Sequence, residues 1–339
     1  MHYRFVVSRM AKFTLTIGLL SLAAVPVLAQ KHAVKSSKSD PLVSHSTNAP
    51  SAPAPSADPE VALTFDDLPS HGPLPKGLSR VDNINRIIAA LKAADAPPIY
   101  GFINAKRLVD EPESEPVLQL WRDAGFMLGN HTYSHMDLDT NSLEAFEKDL
   151  SENEPTLKKY ATGQDWHWFR YPYLREGETA EKHDGIEKFL KAHGYKVAEV
   201  TLSFGDYAYN EPYARCLAQN DVPEIEQLKK SYIEGAVESL ELGRKVSSEL
   251  YQRDVKYIML LHVGGFQTVM LPSLLELLKQ KGFRLITLPD AASDPIYQQD
   301  PALTSHWDNI FFTQVMQARH MTPPEHLGGD LSKLNDVCR

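Results

Sequence analysis

Asp66 and Asp67 close the apolar run Ala62–Phe65, and His131 and His135 stand four residues apart in Asn130-His-Thr-Tyr-Ser-His135. Two neutral imidazoles and one carboxylate form an open divalent-metal site that keeps a position for water, and the second carboxylate is then free to act as a base. This is the equipment of metal-assisted hydrolysis. Adjacent carboxylates at the end of an apolar strand repel each other and lose hydration, which argues for a cation at Asp66 or Asp67. Taken alone, the pair reads more simply as a turn or cap before Leu68-Pro69.

The histidine spacing predicts one helical turn with both rings on the same side, able to grip one ion. In metalloproteases of the His-Glu-x-x-His type the residue after the first histidine is the general base. Here that residue is Thr132, so the base must come from elsewhere, and the spare aspartate of the Asp66-Asp67 pair is the obvious supplier. His71 follows closely enough to lie near the site, although a solvent-facing loop histidine is the plainer reading.

The elements that must position these groups can be placed from short apolar runs and amphipathic stretches. Strands are predicted at Val61–Phe65, Ile99–Ile103, Phe126–Gly129, Trp166–Phe169, Tyr195–Thr201, Tyr257–Leu261 and Phe283–Thr287. Helices are predicted at Val81–Ala93, Val117–Asp123, Leu143–Tyr160, Gly177–Ala192, Ile225–Tyr251 and Pro272–Lys281. Strands alternating with helices predict an α/β fold with a parallel sheet, and the strand count favours a barrel of fewer than eight units over an open doubly wound sheet. Asp66, His131, Arg170, Asp206 and His262 each fall at or just after the C-terminal end of a predicted strand, where barrel active sites are assembled.

Composition narrows the partners. The chain has 339 residues, 35 Lys plus Arg against 44 Asp plus Glu, and a formal net charge of −9. There is no basic stripe with interleaved aromatics, so no nucleic-acid partner is expected. Arg4, Arg9 and Lys12, the apolar run Phe13–Leu28 and the small residue Ala29 have the order of a secretory signal peptide, so 1–29 is expected to be cleaved and the protein exported, periplasmic or extracellular. No later segment is apolar for long enough to span a bilayer, so no stable membrane span is expected after cleavage.

Residues 30–59 are expected to form a Ser/Pro/Ala-rich flexible linker, 60–290 the folded domain, and 291–339 a C-terminal extension with too little periodicity for element assignment. The two cysteines, Cys216 and Cys338, suit one disulfide in an oxidising compartment and equally suit two buried thiols. The charged stretch 210–253 is longer than a simple crossover needs and predicts a long helix plus a loop.

Thr64-Phe-Asp-Asp67, His131-Thr-Tyr-Ser-His135, Arg170-Tyr-Pro-Tyr173, Asp206-Tyr207 and Leu260-Leu-His262 resemble, in order, the five motifs of the polysaccharide deacetylase family, the NodB homology domain of carbohydrate esterase family 4. The resemblance spans about Glu60 to Asp290. It implies a distorted (β/α)7 barrel, Asp66 as base, Asp67, His131 and His135 as ligands of a divalent metal, usually Zn²⁺, and His262 as general acid. It further implies that Arg170 orients the base, that the Tyr173 N–H helps hold the oxyanion, that Asp206 supports the acid–base pair and that Leu260 lines the acetyl pocket. Two motifs depart from the family: Tyr207 stands where tryptophan is common, without the earlier aspartate, and Val263 stands where aspartate often follows the histidine. These departures touch the substrate-facing wall more than the metal.

The implied activity is release of acetate from an N-acetylated glycan such as peptidoglycan, a chitin-like oligomer or an exopolysaccharide. The alternatives are an amidohydrolase acting on a small non-sugar amide, an O-acetyl esterase acting on a glycan, and a non-catalytic glycan binder.

Overall fold

The computed structural model of the chain describes residues 58–302, 310–325, 327, 329–332 and 334–339. The expected signal peptide and all but the last two residues of the expected linker lie outside the described residues. Seven strands are present among the described residues: β1 Glu60–Leu68, β2 Tyr100–Ile103, β3 Met127–Asn130, β4 Trp168–Phe169, β5 Lys196–Val197, β6 Lys256–His262 and β7 Arg284–Leu285. The helices among the described residues are α1 Arg80–Ala93, α2 Arg107–Asp110, α3 Pro116–Asp123, α4 Leu143–Tyr160, α5 Ala180–Ala192, α6 Asn210–Gln219, α7 Val222–Tyr251, α8 Gln267–Gln280, α9 Leu288–Ala292 and α10 Phe311–Ala318. Among those residues, no helix is long and apolar enough to cross a membrane.

All strand pairs are parallel, in the order β5-β4-β3-β2-β1-β6. The sheet curls into a half-barrel of parallel strands, and the chain after β5 crosses its opening. Ala198 N–H donates to Phe169 O on β4, whereas Thr201 and Leu202 N–H both donate to Ile258 O on β6. That change of neighbour is why only two residues of the predicted strand Tyr195–Thr201 form a regular ladder. β7 pairs only with Glu60 and Val61 at the start of β1 and stands off the main path, so the seven strands are not seven equal staves.

Local sequence explains the helices. Ser79 and Asp82 form a reciprocal capping box at the start of α1, whose Ile84, Ile87 and Leu91 are buried at helical spacing. Each such aliphatic side chain contributes roughly 1.5–3 kcal/mol. α8 begins at Gln267, five residues before the predicted start at Pro272, which lies inside the helix. Its first turns are held by buried Gln267, Thr268, Met270 and Leu271, so packing outweighs the missing N–H of proline. The stretch expected to hold a loop before the long helix is instead α6, joined to α7 by a short turn at Asn220-Asp221.

Strand alternation decides what faces the barrel interior. Val61, Leu63 and Phe65 belong to the large core beneath the helices, whereas Ala62 packs with Tyr100, Phe102, Trp168, Ala198, Ile258, Ile286, Leu288 and Ala291. These residues plug the barrel, and two-residue periodicity from them leads up to its C-terminal mouth: Ala62 to Thr64 and Asp66, Trp168 to Arg170, Ile258 to Leu260 and His262. The C-terminal extension joins the core through buried Ile296, Ile310, Phe311, Phe312, Val315 and Met316. Farther along the tail, the Sγ atoms of Cys216 and Cys338 are bonded at 2.06 Å.

Candidate active site

Strict alternation would point Asp66 and Asp67 to opposite faces of β1. The register against β2 slips between Phe65, opposite Gly101, and Leu68, opposite Ile103, so two β1 residues face the single residue Phe102. Asp67 takes the left-handed conformation with φ 64°. This bulge turns both carboxylates into the mouth, and it answers the plainer turn reading of the pair.

The histidines are brought in differently from the expectation. β3 ends at Asn130, and 131–135 form a loop rather than a helical turn, with Thr132 at φ 60° and His135 at φ 59°. Left-handed backbone at non-glycine residues is costly and needs support. A buried amide network provides it. Asn104 Nδ2 donates to the carbonyls of His131 (2.5 Å) and Thr132 (3.0 Å), Asn130 Oδ1 accepts from Thr132 N–H (2.9 Å), and Asn153 Nδ2 donates to Asn130 Oδ1 (2.8 Å). Ser134 is tied to Asp149 through both its N–H and its hydroxyl. None of these asparagines stands out in the sequence, because their role depends on elements more than 20 residues apart.

Asp67, His131 and His135 together offer one ligand atom each within 4.8 Å of one another. Asp67 Oδ1 is buried without a hydrogen-bond partner among the described residues, and it lies 3.6 Å from His131 Nε2 and 3.4 Å from His135 Nε2. His131 Nδ1–H donates to Arg170 O at 2.7 Å, which leaves Nε2 as the lone-pair nitrogen. Burial pulls both His131 and His135 down to about 4 against the opposing charge of Asp67. Neutral imidazoles and an orphaned carboxylate oxygen are the protonation states a divalent cation requires, so the residues fit a metal. His71 is not a free loop residue. Its ring donates through Nδ1 to Asp67 Oδ2 at 2.6 Å and lies 4.9 Å from the His262 ring. Burial would raise Asp67, yet the His71 hydrogen bond and the nearby imidazole charges hold it well below the usual carboxylate range.

Asp66 lies beside this group, its Oδ2 3.6 Å from His131 Nε2. Arg170, 1% exposed, approaches Asp66 Oδ1 and Oδ2 at 3.4 and 3.3 Å, Thr64 Oγ1 at 3.1 Å and Ala198 O at 2.6 Å. Its guanidinium rests 5.0 Å from the centre of the Phe102 ring. Gly129 is required there, because a Cβ would lie 2.6 Å from that ring. Burial pushes Asp66 above the ordinary carboxylate range more strongly than Arg170 pulls it down, so the arginine does not by itself keep the group ionised.

His262 is the direct register partner of Asp66 across β1 and β6. Asp206 Oδ1 accepts from His262 Nδ1–H and Oδ2 from its backbone N–H, both at 2.8 Å. Burial alone would depress His262, but the charge and hydrogen bond of Asp206, with Asp67 and Asp66 adding to them, carry it up to about 9. Tyr173 has φ 59° and a ring 4.4 Å from that of His135, and Tyr207 lies 5.3 Å from His262. The two tyrosines are 57% and 47% exposed, one beside His135 and the other beside His262. Leu260, buried on β6, pairs with Thr64 one step below Asp66. A separate cavity of about 650 Å³, lined by Glu176, Glu187, Glu199, Tyr297 and Asp300 among others, contains none of these side chains.

The family model described as polysaccharide deacetylase matches residues 54–198, which include the Asp66-Asp67 bulge, the histidine loop and Arg170. Residues 54–198 are thus similar to the polysaccharide deacetylase family. A curated chitin deacetylase of Arthroderma benhamiae is 23% identical over 238 residues, 69% of this chain and 52% of the relative. A chitin deacetylase of Colletotrichum lindemuthianum is 26% identical over the same length, 69% of this chain and 79% of the relative. The chain thus spans about half the length of the first and about four fifths of the second. Among solved structures, the chitin deacetylase of Colletotrichum lindemuthianum has a TM-score of 0.47 at 22% identity, covering 75% of this chain and 96% of that one. A carbohydrate esterase family 4 pseudoenzyme from Bacillus anthracis has a TM-score of 0.45 at 16% identity, covering 69% and 66%.

Proposed function

We propose that the protein is an exported metal-dependent deacetylase that hydrolyses the acetamide groups of an amino-sugar glycan, yielding acetate and a free amine. The observation that carries this reading is the placement of Asp66 and His262 as register partners beside the Asp67, His131 and His135 set. Zn²⁺ suits two imidazole nitrogens and one carboxylate oxygen. Both relatives are chitin deacetylases, which supports an N-acetylated glycan as substrate class. Two exposed tyrosines flanking the mouth suit the apolar faces of sugar rings better than a small amide. Export is supported by the N-terminal charged and apolar order and by the Cys216–Cys338 bond.

Asp67, His131 and His135 would hold a divalent cation, which would supply Lewis-acid polarisation of the amide carbonyl and would acidify water there. Asp66 takes the proton of the attacking water, and its raised affinity for protons makes it a better base than an exposed carboxylate. Arg170 stabilises the carboxylate before transfer. The Tyr173 N–H is assigned to the oxyanion of the tetrahedral species. His262 gives its Nε2 proton to the departing nitrogen while Asp206 balances the imidazolium charge at Nδ1.

The test is acetate release from a panel of N- and O-acetylated glycan oligomers and small cyclic or ureido amides, with chelator and with Zn²⁺ restored. Turnover of the N-acetylated glycans, lost on chelation and in Asp66→Asn, is expected. Full activity in Asp66→Asn would refute the base assignment, and turnover of small amides alone would refute the glycan. N-terminal sequencing of secreted protein tests export.

A further inference from the structure

We propose that His71 is a positioning residue for the metal ligand Asp67, occupying one carboxylate oxygen so that only the other is presented to the cation. The inference rests on the metal-dependent reading and adds a residue that lies outside the five motifs.

The geometry divides the two oxygens of Asp67 cleanly. Oδ2 accepts from His71 Nδ1–H at 2.6 Å. Among the described residues Oδ1 has no hydrogen-bond partner, and it faces the Nε2 atoms of His131 and His135 at 3.6 and 3.4 Å. A carboxylate with both oxygens free rotates about its last torsion and can bind one ion through either or both. Fixing one oxygen removes that freedom before the ion arrives, as hydrogen bonds to ligating groups commonly do.

His71 is itself held from several sides. Arg80 Nη1 donates to His71 O at 3.3 Å and Nη2 to Gly72 O at 2.8 Å, while Arg80 pairs with Glu111 at 2.7 Å. Ser70 Oγ also donates to Glu111 Oε1, at 3.3 Å. Two residues on, Asn210 Nδ2 donates to Pro73 O at 2.8 Å, and a Cβ on Gly72 would lie 2.5 Å from that same nitrogen. The ring meets the rings of His262 at 4.9 Å and Tyr207 at 6.3 Å. A histidine merely exposed on a loop would need none of these constraints.

Two variants of the full chain separate the hydrogen bond from the packing. His71→Asn keeps an N–H donor near the place of Nδ1, and His71→Phe keeps a ring against His262 and Tyr207 but has no donor. Zn²⁺ affinity is measured by competition with a chromophoric chelator, the Co²⁺-loaded proteins are compared by visible absorption, and the melting of the metal-free proteins is recorded. His71→Phe is expected to weaken Zn²⁺ binding about 10- to 100-fold and to alter the Co²⁺ spectrum. His71→Asn is expected to recover most of the affinity and the native spectrum, with metal-free melting unchanged in both. Native affinity in His71→Phe, or equal weakening in both variants, overturns the proposal. Equal loss of metal-free stability in both also overturns it, because the histidine would then serve the fold. A wild-type protein that binds neither ion fails the metal-dependent reading itself, which is a distinct result.

Discussion

Replacing Asp206 by asparagine isolates what one buried carboxylate does to the acid. Asp206 accepts two hydrogen bonds from His262, and its charge is the chief influence lifting that imidazole from 6.5 to about 9. The rise corresponds to about 3 kcal/mol in favour of the imidazolium. Asparagine retains an acceptor for the His262 N–H but carries no charge, so burial, which acts downward, should then take the imidazole to 6.5 or below. A general acid must be protonated, so activity falls as pH rises through its pKa. The alkaline limb of kcat/KM for an N-acetylated oligomer should therefore move from near 9 to 6.5 or below. At about pH 8 the loss should be on the order of 30-fold, expressed in kcat more than in KM. A bound cation lowers both values by its own charge, so the difference between wild type and variant is the quantity tested. Stability obeys the same sign: a raised folded pKa gives stabilisation present below about 6.5 and lost as pH climbs toward about 9. The denaturation midpoint should fall across that window in the wild type and stay flatter in the variant. An alkaline limb that does not move in Asp206→Asn would refute both the role of His262 and the origin of its basicity.

Arg170→Met should cost about 3–5 kcal/mol in denaturant unfolding, because it leaves Asp66 buried without its partner, and should raise the acid limb of the pH–rate profile. An unshifted acid limb would sever Arg170 from the base. Removing metal with a chelator should lower the melting temperature, since a ligand at about 100 times its Kd stabilises by about 2.7 kcal/mol; equal melting with and without Zn²⁺ would contradict the assigned triad. Serine at both Cys216 and Cys338 should destabilise by up to about 5 kcal/mol, as expected for a crosslink spanning 122 residues. It should also weaken the tail, which Arg215 and Gln219 hold through backbone carbonyls, and unchanged protease resistance there would disprove the clamp. Gly129→Ala should cost about 1–3 kcal/mol by driving Phe102 from beneath Arg170, with native stability as the contrary result.

Much of the site was legible because its chemistry is carried by residue type and strand position. An apolar strand ending in Asp66, followed by others ending near His131, Arg170 and His262, implies a shared mouth whenever the strands are parallel, and two-residue periodicity aligns the inward side chains. All seven strands and the six long predicted helices were visible as apolar periodicity. What periodicity could not supply was any local conformation fixed by distant partners. The β1 bulge that brings in Asp67 is defined only against β2, and the left-handed turns of Thr132 and His135 are held by Asn104 and Asn153, so the histidine spacing suggested a helix that does not form. Pro272 marked a helix start by propensity, but buried neighbours outweighed it. His71 was marked only by its closeness to Asp66-Asp67, and the sequence could not show its partner, which is chosen by the loop that Arg80, Glu111 and Asn210 pin down. Residue identity and strand period therefore determined which groups could do chemistry. Only the three-dimensional packing decided which oxygen of Asp67 faces the two imidazoles, which carboxylate raises His262, and that burial rather than Arg170 governs Asp66, because those depend on distances and desolvation that no linear spacing encodes.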